Sequence, residues 1–331
     1  MNSFVLAMWM ALLSGFGSGD SYKLLKTLPI GGEGRWDYVS VAPEAHRLYV
    51  PRSDHVQVID TETEIVVADW PGTAGVHGVA AVVRHHIAFT SNGRDNSISV
   101  FDTESNKKIA DVKAGTGPDS IVYDAVSDRV LACNHRGGTV TFIEADPTKK
   151  FEAHDVSIGG TLEECVCDGK GHAYMNVEDK DEIVQLDTNE MKVLNHWKLT
   201  GGQGPTGLAI DRNAGRLFSG CGESNTLVVV STDNGATIAS LPIGKGCDGV
   251  AVDDGVAFAS CGEGTVTAVG EAKPGEFKVL QTIPTKRGAR TITADTKAHR
   301  LYLPTAEFEP AEQGKRPAMK AGTFQIIVIG R

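Results

Sequence analysis

"HRLYVP" at residues 46–51 returns almost unchanged as "HRLYLP" at 299–304. The copies begin 253 residues apart, six steps of about 42, and a fixed period of roughly 20–50 residues marks a repeat architecture. Working outward, the apolar runs that precede each such stretch align as "WDYVSVAP", "VHGVAAVV", "PDSIVYDA", "LEECVCDG", "PTGLAIDR", "CDGVAVDD" and "ARTITADT". Their second residues are Asp37, His77, Asp119, Glu163, Thr206, Asp248 and Arg290, spaced 40, 42, 44, 43, 42 and 42 residues apart. Seven units therefore fill the chain from residue 35 to its end.

Each unit carries four short runs, as the fifth does with "GLAID", "RLFSG", "TLVVVS" and "TIASLPIG". Runs rich in Val, Ile, Leu and Thr, broken by Asp, Asn and Gly, read as strands, and nothing has the length or period of an amphipathic helix. Four strands repeated at this spacing describe the blade of a β-propeller. The expected fold is all-β: a seven-bladed β-propeller spanning 20–331 as a single domain. There are 38 Gly in 331 residues, above the usual ~7%, as a chain of tight hairpins requires.

The ends explain closure. The seventh unit stops after its third strand, "FQIIVIGR" at 324–331, while an unpartnered "YKLLKTLPIGG" at 22–32 precedes the first unit and resembles the fourth strand "TIASLPIGKG" at 237–246. The N-terminal strand is expected to complete the last blade and so remove exposed edges.

The chain opens "MNSFVLAMWMALLSGFGSGD", an apolar run followed by small residues, which reads as a signal peptide over 1–19 despite the missing basic flank. The run is too short to span a membrane comfortably. A periplasmic or secreted protein is expected, with no membrane insertion. Six cysteines, Cys133, Cys165, Cys167, Cys221, Cys247 and Cys261, show neither CxxC pairs nor a haem-attachment motif. Cys165 and Cys167 share a strand face and are poorly placed to bridge each other. The formal charge is −10 without a basic stripe, which excludes nucleic acid as a natural partner. A monomer is expected.

In this fold class the start of each innermost strand and the end of the second strand share one face of the disc. Asp37, His77, Asp119, Glu163, Thr206, Asp248 and Arg290 would then ring one channel mouth, with Arg35 and Trp36 beside them as ligand-binding candidates. Of these, Asp37, His77, Asp119, Glu163 and Asp248 have the chemistry to hold a divalent metal ion, which is the candidate cofactor. The alternative is that Asp and Thr at a strand entry merely bond to nearby backbone and shape the turn. The second-strand ends add Arg52, Asn92, Arg94, Asn134, His135, Glu178, Cys221, Glu223, Cys261, Glu263 and Glu307, for which turn chemistry is the plainer reading. His77 and His135 are the candidate acid/base residues, a role that a mid-range pKa would suit. His46, His86, His172 and His299 fall in hairpins of the opposite face. Residues 305–323, "TAEFEPAEQGKRPAMKAGT", interrupt the seventh unit and are either a loop overhanging the mouth or a spacer.

The strand ends "YVPR", "AFTS", "LACN", "YMNV", "FSGC", "FASC" and "YLPT" resemble those of YVTN-repeat β-propellers. With "RWDYVSV", "FTSNGRDN", "NVEDKDEIV" and "PTGLAIDR", the chain is similar to the exported YncE-like members of that group. The resemblance implies a propeller that binds a small molecule or protein partner at one mouth. Fold relatives of the group include metal-dependent lactonases and lyases, so a metal-dependent hydrolase or lyase using the same mouth is the rival expectation. No Gly-x-Ser-x-Gly elbow supports serine hydrolysis.

Overall fold

The computed structural model describes residues 21–310 and 317–331. The signal-peptide reading of 1–19 lies outside the described residues. Within them the chain is all-β, with three 3-10 turns as its only helical elements. The fifth unit illustrates how the runs of sequence become strands: Pro205–Asp211, Arg216–Cys221, Thr226–Ser231 and Thr237–Pro242 form one antiparallel sheet in that order. The middle two strands are buried almost throughout while the outermost is not, because the flanking sheets cover both faces of a blade near the axis and fewer at its rim.

The fold is a β-propeller, but not one of seven separate four-stranded blades. Its strands form six hydrogen-bonded sheets, five with four strands and one with six. The first two sequence units are fused in the six-stranded sheet, and the cause is local. Strand Arg47–Asp60 folds back on itself at Ser53, whose φ is 64°, so that the Thr61 N–H donates to the His46 carbonyl at 3.0 Å. Strand Val66–Val82 pairs its first half with 55–59 and its second half with Ile87–Asn92, and the Ser53–Val76 pair stitches the two halves together. An unbroken ladder therefore crosses a boundary where the other units have a gap.

The core is divided among seven apolar clusters, each built from two units that are neighbours in the ring, six of them neighbours in sequence and one joining the last unit to the first. One of them, with Tyr49, Trp70 and Phe101, fills the fused sheet, where Trp70 and Phe101 stack at 4.7 Å between centroids. Around the axis the inner strands contact one another in a closed circle: Ser40–Ala42, Val76–Val82, Pro118–Asp124, Leu162–Cys167, Pro205–Asp211, Cys247–Asp253, Thr293–Asp295, and back to the first. No unit buries its faces alone, so the units stand or fall together.

The N-terminal strand closes the circle as expected. Lys23–Pro29 pairs antiparallel with Gln325–Gly330 and completes a sheet otherwise formed by C-terminal strands. Leu28 enters the cluster that joins the seventh unit to the first. Tyr22 crosses to the sixth unit, where its ring meets Phe258 at 4.5 Å, its hydroxyl donates to Asp253 and its carbonyl accepts from Gln281 at 2.7 Å. Leu28→Ala is expected to cost about 2–4 kcal/mol in a urea melt. Deleting residues 20–32 is expected to abolish cooperative melting or lower Tm by at least about 10 °C; a truncated ring that melts like the full chain would show that closure does not depend on this strand.

Candidate functional site

The side chains at the mouth owe their direction to a repeated irregularity. In five inner strands the pairing register shifts just after the first residue: between Val76 and Gly78, Pro118 and Ile121, Leu162 and Cys165, Pro205 and Leu208, and Cys247 and Gly249. His77, Asp119, Glu163, Thr206 and Asp248 each sit inside such a bulge. A bulge re-aims its side chains and leaves backbone groups unpaired. Neighbouring strands supply the missing partners: the Ser91 hydroxyl donates to the Asp119 carbonyl, and the Asn176 amide donates to the carbonyls of Thr206 and Gly207, both at 3.0 Å.

The result is an arc of charge around the mouth. Arg290 pairs with Asp248 and reaches Asp37 at 3.3 Å; Asp37 Oδ2 lies 2.7 Å from His77 Nδ1; and that nitrogen lies 3.0 Å from Asp119 Oδ1. His135 continues the arc, with Nδ1 at 3.7 Å from Asp119 Oδ2 and 3.1 Å from Glu163 Oε1. The Tyr38 hydroxyl closes it by donating to Glu163 Oε2 at 2.9 Å. Six of the seven ring candidates thus form one connected network, together with His135. Thr206 is not part of it: its hydroxyl donates to the carbonyls of Cys247 at 2.8 Å and Gly220 at 3.3 Å, the turn-shaping role.

Four carboxylates face one guanidinium and two imidazoles here, and the imidazoles respond. Burial works against a charge on His77, but the Asp119 and Asp37 carboxylates outweigh it and lift its pKa to about 10. The Glu163 carboxylate raises His135 to about 9 against a smaller burial effect. Burial, opposed by His77, raises Asp119. Both histidine values lie above the mid-range that would suit proton transfer. Both imidazoles are cationic at neutral pH, fitted to balance or donate to an anion rather than to remove a proton.

Two donor sets share Asp119: Asp37–His77–Asp119 and Asp119–His135–Glu163, with the ligand atoms of each set within 4.8 Å of one another. The Asp119 Oδ1 atom is buried, with the His77 imidazole 3.0 Å away as its partner. Mixed carboxylate and imidazole donors at this spacing fit a divalent cation, which would replace the histidine protons as counter-charge. Below the arc a channel cavity of about 880 Å³ is lined by residues such as Tyr38, Ser120 and Glu164. Burial pushes the Glu164 carboxyl up to about 8, although the Leu208 N–H donates to it at 2.7 Å. The sequence reading missed Glu164, because only the bulge turns consecutive acidic residues to different places.

Beside the arc lies a pocket of about 500 Å³. Trp36 forms part of its wall while its ring packs against Phe308 and Phe324, so this residue serves core and pocket together. Arg35, Asp248, Arg287 and Arg290 also line it. The inserted loop supplies Phe308, Pro317 and Met319, held by a short ladder in which Glu309 N–H donates to the Ala318 carbonyl at 2.8 Å and Lys320 N–H to the Glu307 carbonyl at 2.9 Å. The described parts of the insertion therefore overhang the mouth.

The second-strand ends contribute less. Arg52 is fully buried, bonded to the Gly31 and Gly34 carbonyls and to Gln57, with its guanidinium 3.6 Å from the Phe324 ring centre. Asn92 and Asn134 are spent on neighbouring Ser and Thr hydroxyls, whereas Arg94, Glu223, Glu263 and Glu307 reach toward solvent. All six cysteines are free and buried, and Cys247 alone of them lines the pocket beside the arc. On the opposite face His46, His86 and His299 hold left-handed hairpin positions with φ of 53°, 53° and 51°, a conformation in which His is enriched.

No family model matches the chain, and no curated protein matches it. Among solved structures it is similar to that of U3-55K, with a TM-score of 0.75 and 10% identity over 94% of this chain and 98% of that one. It is similar to the RRP9 WD40 repeats, with a TM-score of 0.76 and 10% identity over 94% and 98%. The Kuenenia stuttgartiensis hydrazine synthase gives 0.71 and 14% over 87% and 96%. At these identities the likeness establishes the propeller fold, WD40-like, and nothing finer.

The raised histidines make stability depend on pH with a definite sign. A group whose folded pKa exceeds its unfolded value of about 6.5 contributes fully below that value and loses its contribution as pH rises through the folded pKa. Tm is expected to fall between about pH 6.5 and pH 10, and less steeply in His77→Gln/His135→Gln. Parallel curves for the two proteins would mean that the arc does not hold protonated imidazoles.

Proposed function

We propose that this chain is an exported β-propeller binding module of the YVTN-repeat, YncE-like type, which holds a small ligand at one mouth of its channel. In this reading it is built from seven packing units, the first two fused in one sheet, and it acts in the periplasm or as a secreted protein. The observation that carries the reading is the pocket of about 500 Å³ whose apolar wall, Trp36 and Phe308, adjoins the charged arc. Binding sites of this size are concave and mostly apolar, with a few placed polar groups. The long insertion, which supplies part of the wall, supports a ligand of this chain's own rather than a generic scaffold surface.

Native mass spectrometry of protein purified from its producing cell tests this. A small molecule retained by the wild type and lost by Phe308→Glu, with Tm preserved, is expected; adducts that survive the substitution would place the ligand elsewhere. Fractionation tests export separately, with the protein expected outside the cytoplasm.

A second reading, a metal-dependent hydrolase or lyase, is favoured by the buried Asp119 carboxylate that two donor sets share. A cation there would polarise a carbonyl or phosphoryl oxygen. In that reading His77 and His135 are ligands of the cation, relieved of their protons by it. Metal analysis decides: a near-stoichiometric cation that His77→Ala/Asp119→Ala loses, with lactone or ester hydrolysis lost alongside, supports the enzyme. Metal-free protein after growth and purification without chelators removes it.

A further inference from the structure

We infer that the pocket beside the arc is built for a planar aromatic ring bearing a single carboxylate. This rests on the small-ligand reading above and names the ligand's chemistry.

Shape argues for the ring. Three of the lining residues, Gly246, Gly262 and Gly288, present bare main chain. Gly288 has φ of 87°, and a Cβ there would lie 2.6 Å from the Phe308 ring, so the ring rests directly on backbone and could not do so over any side chain. Gly246, with φ of 69°, likewise leaves the surface free of side-chain relief. With Gly246 and Gly262 also bare, the lining beside the Trp36 and Phe308 wall carries little side-chain relief, which suits a flat ligand, since aromatic rings bury a large area at low entropic cost.

Charge argues for the carboxylate. Of the three arginines in the lining, Arg290 is committed to Asp248 and Asp37. Arg35 and Arg287 are exposed, and neither has an ionic partner among the described residues. In a chain of net charge −10, two guanidiniums without ionic partners among the described residues in the lining of one pocket leave a position for an anion, and the guanidinium fork matches a carboxylate. The neighbouring Asp248 and Asp37 set the limit. Their field tolerates one negative charge held by two arginines and opposes a second, which disfavours an aryl phosphate dianion.

Calorimetric titration of the purified protein at low ionic strength with 2-naphthoate, 2-naphthamide, 2-naphthylmethylamine and 2-naphthyl phosphate tests the assignment. Naphthoate is expected to bind at least about tenfold more tightly than the amide, and the gap to narrow as salt shortens the Debye length. In Arg35→Gln/Arg287→Gln the gap should close with Tm preserved, because both arginines are exposed. An amide that binds as well as naphthoate, a preference for the amine, or a tighter phosphate overturns the ligand class and leaves the binding module standing. A panel of which no member binds overturns both.

Discussion

Everything in this molecule depends on one antiparallel ladder, that between Lys23–Pro29 and Gln325–Gly330. The apolar clusters lie between units rather than within them, so a ring with an open seam would expose the faces of two sheets at once, Leu48 and Phe324 among the residues uncovered. Hydrogen bonding between the two ends of the chain converts a linear array into a closed one. The last strand then has no free edge to offer another chain. The price is a long sequence separation, since the closing contact forms between residues some three hundred positions apart, which slows the search for it.

Closure also fixes the geometry of the mouth. Inner strands held in a circle bring their first residues together, and the bulge at the start of five of them turns side chains that would otherwise alternate through the sheet. Arg290 of the last unit reaches Asp37 of the first only because the seam is shut. The arc is thus a property of the whole ring, assembled from groups that are far apart in sequence and individually ordinary. Its electrostatics follow from that assembly: carboxylates gathered at one spot lift His77 and His135 out of the range in which imidazole usually titrates.

The fold could be read from the sequence where the physics is local. Alternating runs gave the strands of the fifth unit almost residue for residue, and the likeness of 22–32 to 237–246 located the closing strand. The repeated His before "RLY" marks a left-handed hairpin position, a backbone need that leaves a signature. Where an outcome depends on pairing between distant residues, no such signature exists. The fusion of the first two units turns on Ser53 meeting Val76, and Arg52 looked like a mouth residue until its burial against Phe324 and the backbone of 31–34 was visible. Thr206 and His77 occupy equivalent positions in the repeat, yet one bonds to backbone and the other to carboxylates, because their neighbours differ.

The clasp at Tyr22 has a bearing on how the ring can be held. Tyr22 and Arg331 meet around Asp253, Asp254 and His299, at the far ends of the inner strands whose first residues form the mouth. The described start and end of the chain therefore emerge side by side on the back of the disc. The propeller has a handle side and a working side, and a bead, a chip or a fused partner joined at either end would turn the pocket outward, toward whatever diffuses past.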